Sequence, residues 1–520
     1  MINFDDVLSQ SFGTVSDLIR SHAQLRPQQP AITLNERMLD FVALDTLVDR
    51  IAASLQREGL QPGDNLAICA ASSIEYAAVF LGGLRAGIAV APLAPSSTPD
   101  SLIAMITDAD ATFIFVDSAI SQALAPRVEA IGARLITLDD SDPGTHFNDW
   151  LAPIGTRPNH VDIDPDSPFN IIYSSGTTGT PKGIVQSHRM RWMHVQRGAA
   201  SGYGYQAVVL LATPLYSNTT LVSFMPALAL GSSVVLMQKF DAGEYLRLAY
   251  QHRVTHTMLV PVQYQRLMAH ADFDQYDFSS FERKFCTSAP FSAALKSEIL
   301  RRWPGALVEY YGMTEGGGTC ILAAHEHPDK LHTVGCPAPG HDIRLIDDQG
   351  REVQPGGTGE IVGHSIAMMN AYHKLPTATE NAEWRDASGR RFIRTGDIGR
   401  FDKDGFLILL DRKKDMIISG GFNIYPSDLE TVLQRHPDVV EAAVIGLPSQ
   451  RWGESPVAIV VLISGSHLTE VVLLEWANAQ LGKTQRLAAV NIVDTLPRSP
   501  IGKVLKRELR DVFKTRTVLL

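Results

Sequence analysis

A chain of 520 residues is too long for one ordinary hydrophobic core, so two or more domains are expected. With 45% hydrophobic and 20% charged residues it has a globular make-up, and a formal net charge of −10 argues against nucleic acid or an anionic membrane as its main partner. Asp5, Asp6 and Asp17 with no apolar run predict no signal peptide, and Cys69, Cys286, Cys320 and Cys336 lack ligand or redox spacing, as reduced cytoplasmic core thiols would.

In chain order, strand-length apolar segments alternate with helix-like ones. Asn65–Ala70, Ala111–Val116, Arg134–Leu138, Ala207–Ala212 and Ser233–Met237 read as strands, Tyr76–Arg85 and Tyr245–His252 as helices. The stretch Ala77–Pro95, broken by Arg85 and glycines, reads as a buried helix followed by a strand, not as a transmembrane segment. The alternation predicts an α/β fold of mostly parallel sheets with both faces covered. After about residue 340, Asp342–Asp347, Gly359–Gly363 and Phe406–Leu410 are short strands set off by Gly/Asp turns, which suggests a small antiparallel barrel-like unit. Asp411-Arg-Lys-Lys-Asp415 interrupts apolar strands with five charges and reads as a solvated connector. The expected domains are therefore 1–411 and a small α+β domain, 412–520.

Phe169–Tyr173 is an apolar strand that runs into Ser174-Ser-Gly-Thr-Thr-Gly-Thr-Pro-Lys-Gly183. Small residues let backbone N–H groups converge on an anion, hydroxyls add donors and Lys182 adds charge, so the loop suits a phosphate cradle. Its spacing is not that of the P-loop ATPases. For Gly-Thr-Thr-Gly alone a flexible turn would suffice; the whole string favours the cradle.

This string resembles the phosphate loop of the adenylate-forming superfamily, which includes acyl- and aryl-CoA synthetases, adenylation domains and luciferases. Leu81-Gly-Gly-Leu-Arg-Ala-Gly87, Tyr311-Gly-Met-Thr-Glu315, Arg394-Thr-Gly-Asp397, Asp411–Gly421 and Pro497-Arg-Ser-Pro-Ile-Gly-Lys503 match further motifs in order, so the resemblance spans nearly the whole chain. It implies ATP-dependent activation of a carboxylic acid as an acyl-AMP, with Mg²⁺, followed by transfer to coenzyme A. Ser174, Ser175, Gly176, Thr177, Thr178, Gly179 and Lys182 would hold the ATP phosphates. Thr314 would contact the α-phosphate and Glu315 the metal; Lys503 would offset charge in the first step. Ser288, Ala289, Pro290 and Tyr311 would flank adenine, and Asp397 with Arg412 would take the ribose. Lys414 would be the hinge of a mobile C-terminal domain, with Gly420 and Gly421 on a pantetheine tunnel.

Trp452 and Arg486 are candidates for the nucleotide end of CoA. The acid would lie against Tyr216, Ser217, Asn218, Gly312, Met313, Gly316 and Gly317. Ser217 stands where many CoA synthetases have a histidine, and no Asp stands where an amino acid's amine would be held. An apolar aromatic, phenylpropenoid or fatty acid is favoured. A stand-alone enzyme that loads a carrier protein, and a nucleotide-binding protein without ligase activity, are the alternatives. A carrier protein and a second copy of the chain stay open as partners.

Overall fold

The computed structural model describes residues 9–174, 182–413, 415–419, 422–449, 452–482, 485–499 and 504–514. Contacts divide the chain into two compact units: Met1–His332, Ala338–Asp342 and Gly363–Ile393 form one; Thr333–Pro337, Ile343–Val362 and Arg394–Leu520 form the other.

The first unit holds two large sheets. One runs, in spatial order, Ala371–Tyr372, Lys182–Ser187, Pro168–Ser174, Ala89–Pro92, Asn65–Cys69, Ala111–Val116, Arg134–Thr137 and Thr145–His146. Its centre is parallel, while Lys182–Ser187 is antiparallel to both its neighbours. The other is parallel from Ala306–Tyr311 through Arg283–Cys286, His256–Leu259, Val208–Leu211 and Ser233–Leu236 to Pro30–Leu34. Arg37–Asp40 and Cys320–Ala323 add antiparallel strands at its two ends. Parallel strands covered on both faces bury their side chains on both sides, hence the unbroken apolar runs in the sequence. The α/β fold of mostly parallel sheets is thus the observed one.

The glycine-bearing segment 81–87 shapes the packing between two helices, Phe41–Arg57 and Ile74–Arg85. A Cβ on Gly82 would lie 2.7 Å from Ile51 Cβ, so only glycine lets the helices approach this closely. Arg85 is buried there and ion-paired to Asp45 at 2.6 Å and Asp49 at 2.8 Å, which satisfies the charge the apolar stretch carries inside. Cys69, Cys286 and Cys320 are buried free thiols and Cys336 is half-buried.

Mostly within the second unit, Asp342–Ile346, Gly359–His364, Arg391–Phe401 and Leu407–Arg412 are hydrogen-bonded in that order. Beyond them a sheet of Phe422–Ile424, Ile417–Ser419, Gly453–Leu462 and Val439–Ser449, with Ala489–Ile492 beside Gly453–Leu462, packs on helices Pro426–Leu433, Glu470–Asn478 and Lys506–Lys514. This is the expected small α+β texture.

One expectation needs correction. The charged run at 411–415 is not a solvated connector where it is described. Asp411 and Arg412 finish a strand, and each described charge has a partner. Arg412 reaches Asp397 at 3.3 Å, Lys413 reaches Asp348 at 2.9 Å and Glu360 at 3.2 Å, and Asp415 accepts from Arg510 at 2.8 Å. Asp411 accepts from the Ser427 amide at 3.0 Å, and burial raises its pKa. Partners drawn from positions far along the chain replace the water that a lone charged run would need.

Candidate active site

The strand Ala306–Tyr311 ends the parallel run of its sheet, and the chain turns immediately afterwards through Gly312, Met313, Thr314 and Glu315. Carboxyl ends of parallel strands are where α/β folds gather ligands. Two side chains fix this turn. Gln186 Nε2 donates to the Thr314 carbonyl at 2.6 Å, and Tyr372 Oη donates to Glu315 Oε1 at 2.8 Å. The Met369 amide also donates to the Glu315 carbonyl at 2.8 Å. Burial, then the Glu315 carboxylate, raises the pKa of Tyr372, so its hydroxyl stays a donor.

Gln186 and Tyr372 are held together by strand pairing. Tyr372 lies opposite Ile184 in the antiparallel pair of Ala371–Tyr372 with Lys182–Ser187, the strand that leaves the glycine-rich loop. Lys182, its first residue, places Nζ 5.3 Å from the centre of the Tyr372 ring. Lys182, Tyr372 and Glu315 are therefore neighbours. Residues 175–179 lie outside the described residues, as do Lys414, Gly420, Gly421 and Lys503; Ser174 ends the strand Pro168–Ser174.

Gln186 belongs to a buried polar network. Its Oε1 accepts from Arg191 and from Asn170 Nδ2 (3.0 Å), and Arg191 also donates to Asn170 Oδ1 (2.8 Å) and Asn218 Oδ1 (2.9 Å). Burial lowers the Arg191 pKa to about 9, and its Nη1 has no partner among the described residues. Asn218, one of the expected acid-site residues, is thereby tied to the Thr314 turn through Arg191 and Gln186. It opens the helix Asn218–Ala229, whose N-cap Ser217 is buried; Tyr216 just before is half-buried and its pKa is raised by burial.

The glycines after Glu315 are backbone-packed. Gly317 has φ +88°, its amide donates to Ala367 O at 3.0 Å, and an added Cβ would meet Gly363 O at 2.6 Å. Gly316, at φ +73°, would clash with the Ala367 carbonyl. Both positions require glycine conformationally and sterically. Ser288 has φ +83°, uncommon for a side-chain-bearing residue, and its Oγ shares a hydrogen bond with Thr219 Oγ1 at 2.5 Å. Ala289 follows half-buried and Pro290 exposed, so the Ser288–Pro290 segment presents an accessible edge. Tyr311 is half-buried at the end of its strand.

In the second unit Asp397 and Arg412 lie opposite each other in the antiparallel pair and form the 3.3 Å ion pair. Thr395 Oγ1 accepts from the Asp397 amide at 3.0 Å, which fixes the turn and leaves a carboxylate suited to accept from a cis-diol. Trp452 is 49% exposed and Arg486 is also exposed, in separate segments of this unit.

Glu315 is a single hard oxygen donor. Among the described residues no group of three or more His, Cys, Asp or Glu side chains could hold a metal. A lone carboxylate fits magnesium, which completes its shell with water and substrate phosphates. Tyr372, Gln186, Asn170 and Arg191 were not legible as site residues. The local trace of Gln186 and Arg191 is their place in the mostly polar stretch Gln186–Arg191, where a strand passes into a helix.

Residues 19–373 match the model of the AMP-binding enzyme family, and residues 428–503 match that of the AMP-binding enzyme C-terminal domain. The chain is 33% identical to the indoleacetate–CoA ligase of Aromatoleum aromaticum over 97% of its length and 99% of that protein's. It is 31% identical to a fatty acid–[acyl-carrier-protein] ligase of Streptomyces coeruleorubidus, covering 95% of each. The structure of ATP-bound MatB from Rhodopseudomonas palustris superposes with TM-score 0.87 at 29% identity, covering 96% of this chain and 99% of that one. With both family models matched and a fixed Thr-Glu turn and the Asp397–Arg412 pair on this fold, the chain belongs to the AMP-binding enzymes and is an adenylate-forming ligase that uses ATP.

Proposed function

We propose that the protein is an AMP-forming carboxylic acid:CoA ligase for an acid with an apolar body, aryl, phenylpropenoid or fatty. In the first half-reaction a carboxylate oxygen attacks the α-phosphorus of ATP, the bond to the β-phosphate bridging oxygen breaks, and pyrophosphate leaves. In the second, the thiol sulfur attacks the acyl carbon and gives up its proton to solvent, the acyl C–O bond breaks, and AMP leaves.

The observation that carries this reading is the doubly held Thr314–Glu315 turn. Gln186 grips its backbone and Tyr372 its carboxylate, beside Lys182. Donors and charges fixed before substrate arrives need no reorganisation as charge develops, which is where most rate enhancement arises. Magnesium at Glu315 would neutralise phosphate charge. Glu315 is the residue that would hold it, and Tyr372 keeps that carboxylate oriented. Lys503, Thr177 and Thr178 are proposed, by motif, for the α-phosphate and the leaving pyrophosphate. Lys414 is proposed as the pivot between half-reactions, with residues 1–411 and 412–520 as the bodies it joins.

Free CoA as acceptor is supported by relatives named for it, among them the indoleacetate, feruloyl and 4-coumarate enzymes. The exposed Trp452 indole offers a face on which an adenine ring can stack. The carrier-loading reading is favoured by one observation, the 31% identity to a fatty acid–[acyl-carrier-protein] ligase. Pyrophosphate exchange across a panel of acids, followed by thioester formation with CoA alone, tests the proposal. Acyl-AMP formation without any thioester at saturating CoA would reject CoA as acceptor and favour the carrier. No exchange with any acid would reject the ligase reading.

A further inference from the structure

The first unit holds a partly open cavity of about 490 Å³, a size that accepts a whole small-molecule ligand. None of the residues expected from the sequence lines it, yet it adjoins them at two points. Tyr310 lines it and directly precedes Tyr311-Gly312, and Ala367 lines it while its carbonyl accepts from Gly317. Chain neighbours at both points thus tie the cavity to the segment expected to receive the acid.

Much of the lining is apolar, including Met193, Phe285 and Ile321, but the helix His188–Ala200 sends two polar groups into it. His194 is 7% exposed and its Nδ1 is buried with no hydrogen-bond partner among the described residues. Burial, with Arg197, Arg191 and His341 nearby, holds its pKa well below the ordinary value, so the ring is neutral. One turn on, Arg197 sits with its guanidinium 5.5 Å from the centre of the Tyr310 ring, and among the described residues no carboxylate pairs with it. His341 also lines the space, but its ring is engaged, with Nδ1 accepting from the Thr319 amide at 3.1 Å and a second bond to the Gly317 backbone. Arg283 and Glu326 complete the charged lining, so two guanidiniums face one carboxylate. A purely apolar acid would leave the Arg197 cation desolvated, which is costly.

We propose that the acid activated here carries a second oxygen acceptor at the end remote from its reacting carboxylate, bound by the Arg197 guanidinium. The inference rests on the ligase reading and narrows its acid to one with an apolar middle and an oxygenated tail. A distal carboxylate and a phenolic oxygen share this chemistry.

The test compares cinnamate with 4-hydroxycinnamate and 4-carboxycinnamate, and octanoate with octanedioate, in pyrophosphate exchange and, separately, in calorimetric binding to the full chain. In at least one series an oxygenated acid should exceed its parent in kcat/KM by about tenfold or more, the scale of one hydrogen bond to a charged group. Which acid wins distinguishes carboxylate from phenol. In Arg197→Met that ratio should fall to near one, and Arg197→Lys should restore part of it. Oxygenated acids no better than their parents in both assays would overturn the proposal, as would a preference that survives Arg197→Met. Should no acid support exchange, the ligase reading fails, and the binding ratios decide the inference by themselves.

Discussion

Tyr372 holds Glu315 through a 2.8 Å hydrogen bond from its hydroxyl, although the two residues lie 57 positions apart in the chain. The carboxylate is therefore oriented by a strand packed against the one that leaves the phosphate-type loop. Tyr372→Phe removes that donor and keeps the ring under Lys182. A hydrogen bond to a charged group contributes about 1.5–3 kcal/mol. The KM for ATP should rise roughly 10- to 100-fold at limiting magnesium and recover partly as magnesium is raised, read by pyrophosphate exchange. A loss independent of magnesium would remove Glu315 from the role of metal ligand.

Gln186→Leu should act on both stability and the site. It strips a donor from the part-buried Thr314 carbonyl and an acceptor from the buried Arg191 and Asn170. Unsatisfied buried groups cost about 1–3 kcal/mol, so the urea midpoint should fall and the KM for ATP should rise together. A lower midpoint with unaltered ATP kinetics would restrict Gln186 to a structural part.

Lys503→Ala should abolish adenylation, by at least ~10²-fold, the scale for one preorganised charge contact. Thioester formation from supplied acyl-AMP should survive if, as proposed, this lysine acts only on the first transition state. Equal damage to both half-reactions would assign it a structural role.

Trp452→Ala or Arg486→Ala should weaken CoA by about 1–3 kcal/mol, while pantetheine, which lacks the nucleotide, reacts as before. Steady-state titration of both thiols reads the difference. Parallel losses for CoA and pantetheine would place neither side chain at the nucleotide.

Stability should fall as the pH drops from about 6.5 to about 4, in part through His188. Burial lowers its pKa to about 4 from an ordinary 6.5. In that window the unfolded chain binds a proton that the native state does not, so unfolding becomes easier as pH falls. His188→Asn should flatten the decline of the urea midpoint. The flattening is partial, because His256 and His341 are held to about 4 by burial as well. A slope equal to wild type would mean His188 is already protonated in the fold.

The elements most legible in the sequence are those whose cause is local. Ala111–Val116 is a strand over the expected residues, and Asn65–Cys69, Arg134–Thr137 and Ser233–Leu236 each stop one residue short, because apolar runs bounded by turns leave little choice. The two helices start earlier than Tyr76 and Tyr245. The Ser73 side chain caps at the Tyr76 amide and that of Asp241 at the Glu244 amide, so the helices begin at Ile74 and Ala242. Motif strings such as Tyr311–Glu315 are legible because their chemistry sits in consecutive residues. Tyr372, Gln186 and Arg197 act on positions tens of residues or more away, and only the strand pairing and helix packing bring them there. The run 411–415 misleads for the same reason: a sequence displays charges but not their distant partners.

The close packing at Gly316 and Gly317 also limits how this segment, proposed to border the acid, can change by mutation. A side chain at either position would collide with main-chain carbonyls of Ala367 or Gly363, atoms that no rotamer change can move aside. That wall is closed to point substitution. If the cavity receives the acid as proposed, variation in acid size and polarity falls to Met193, His194 and Arg197, which line it from one helix, so a library confined to those three codons is the economical route to altered selectivity.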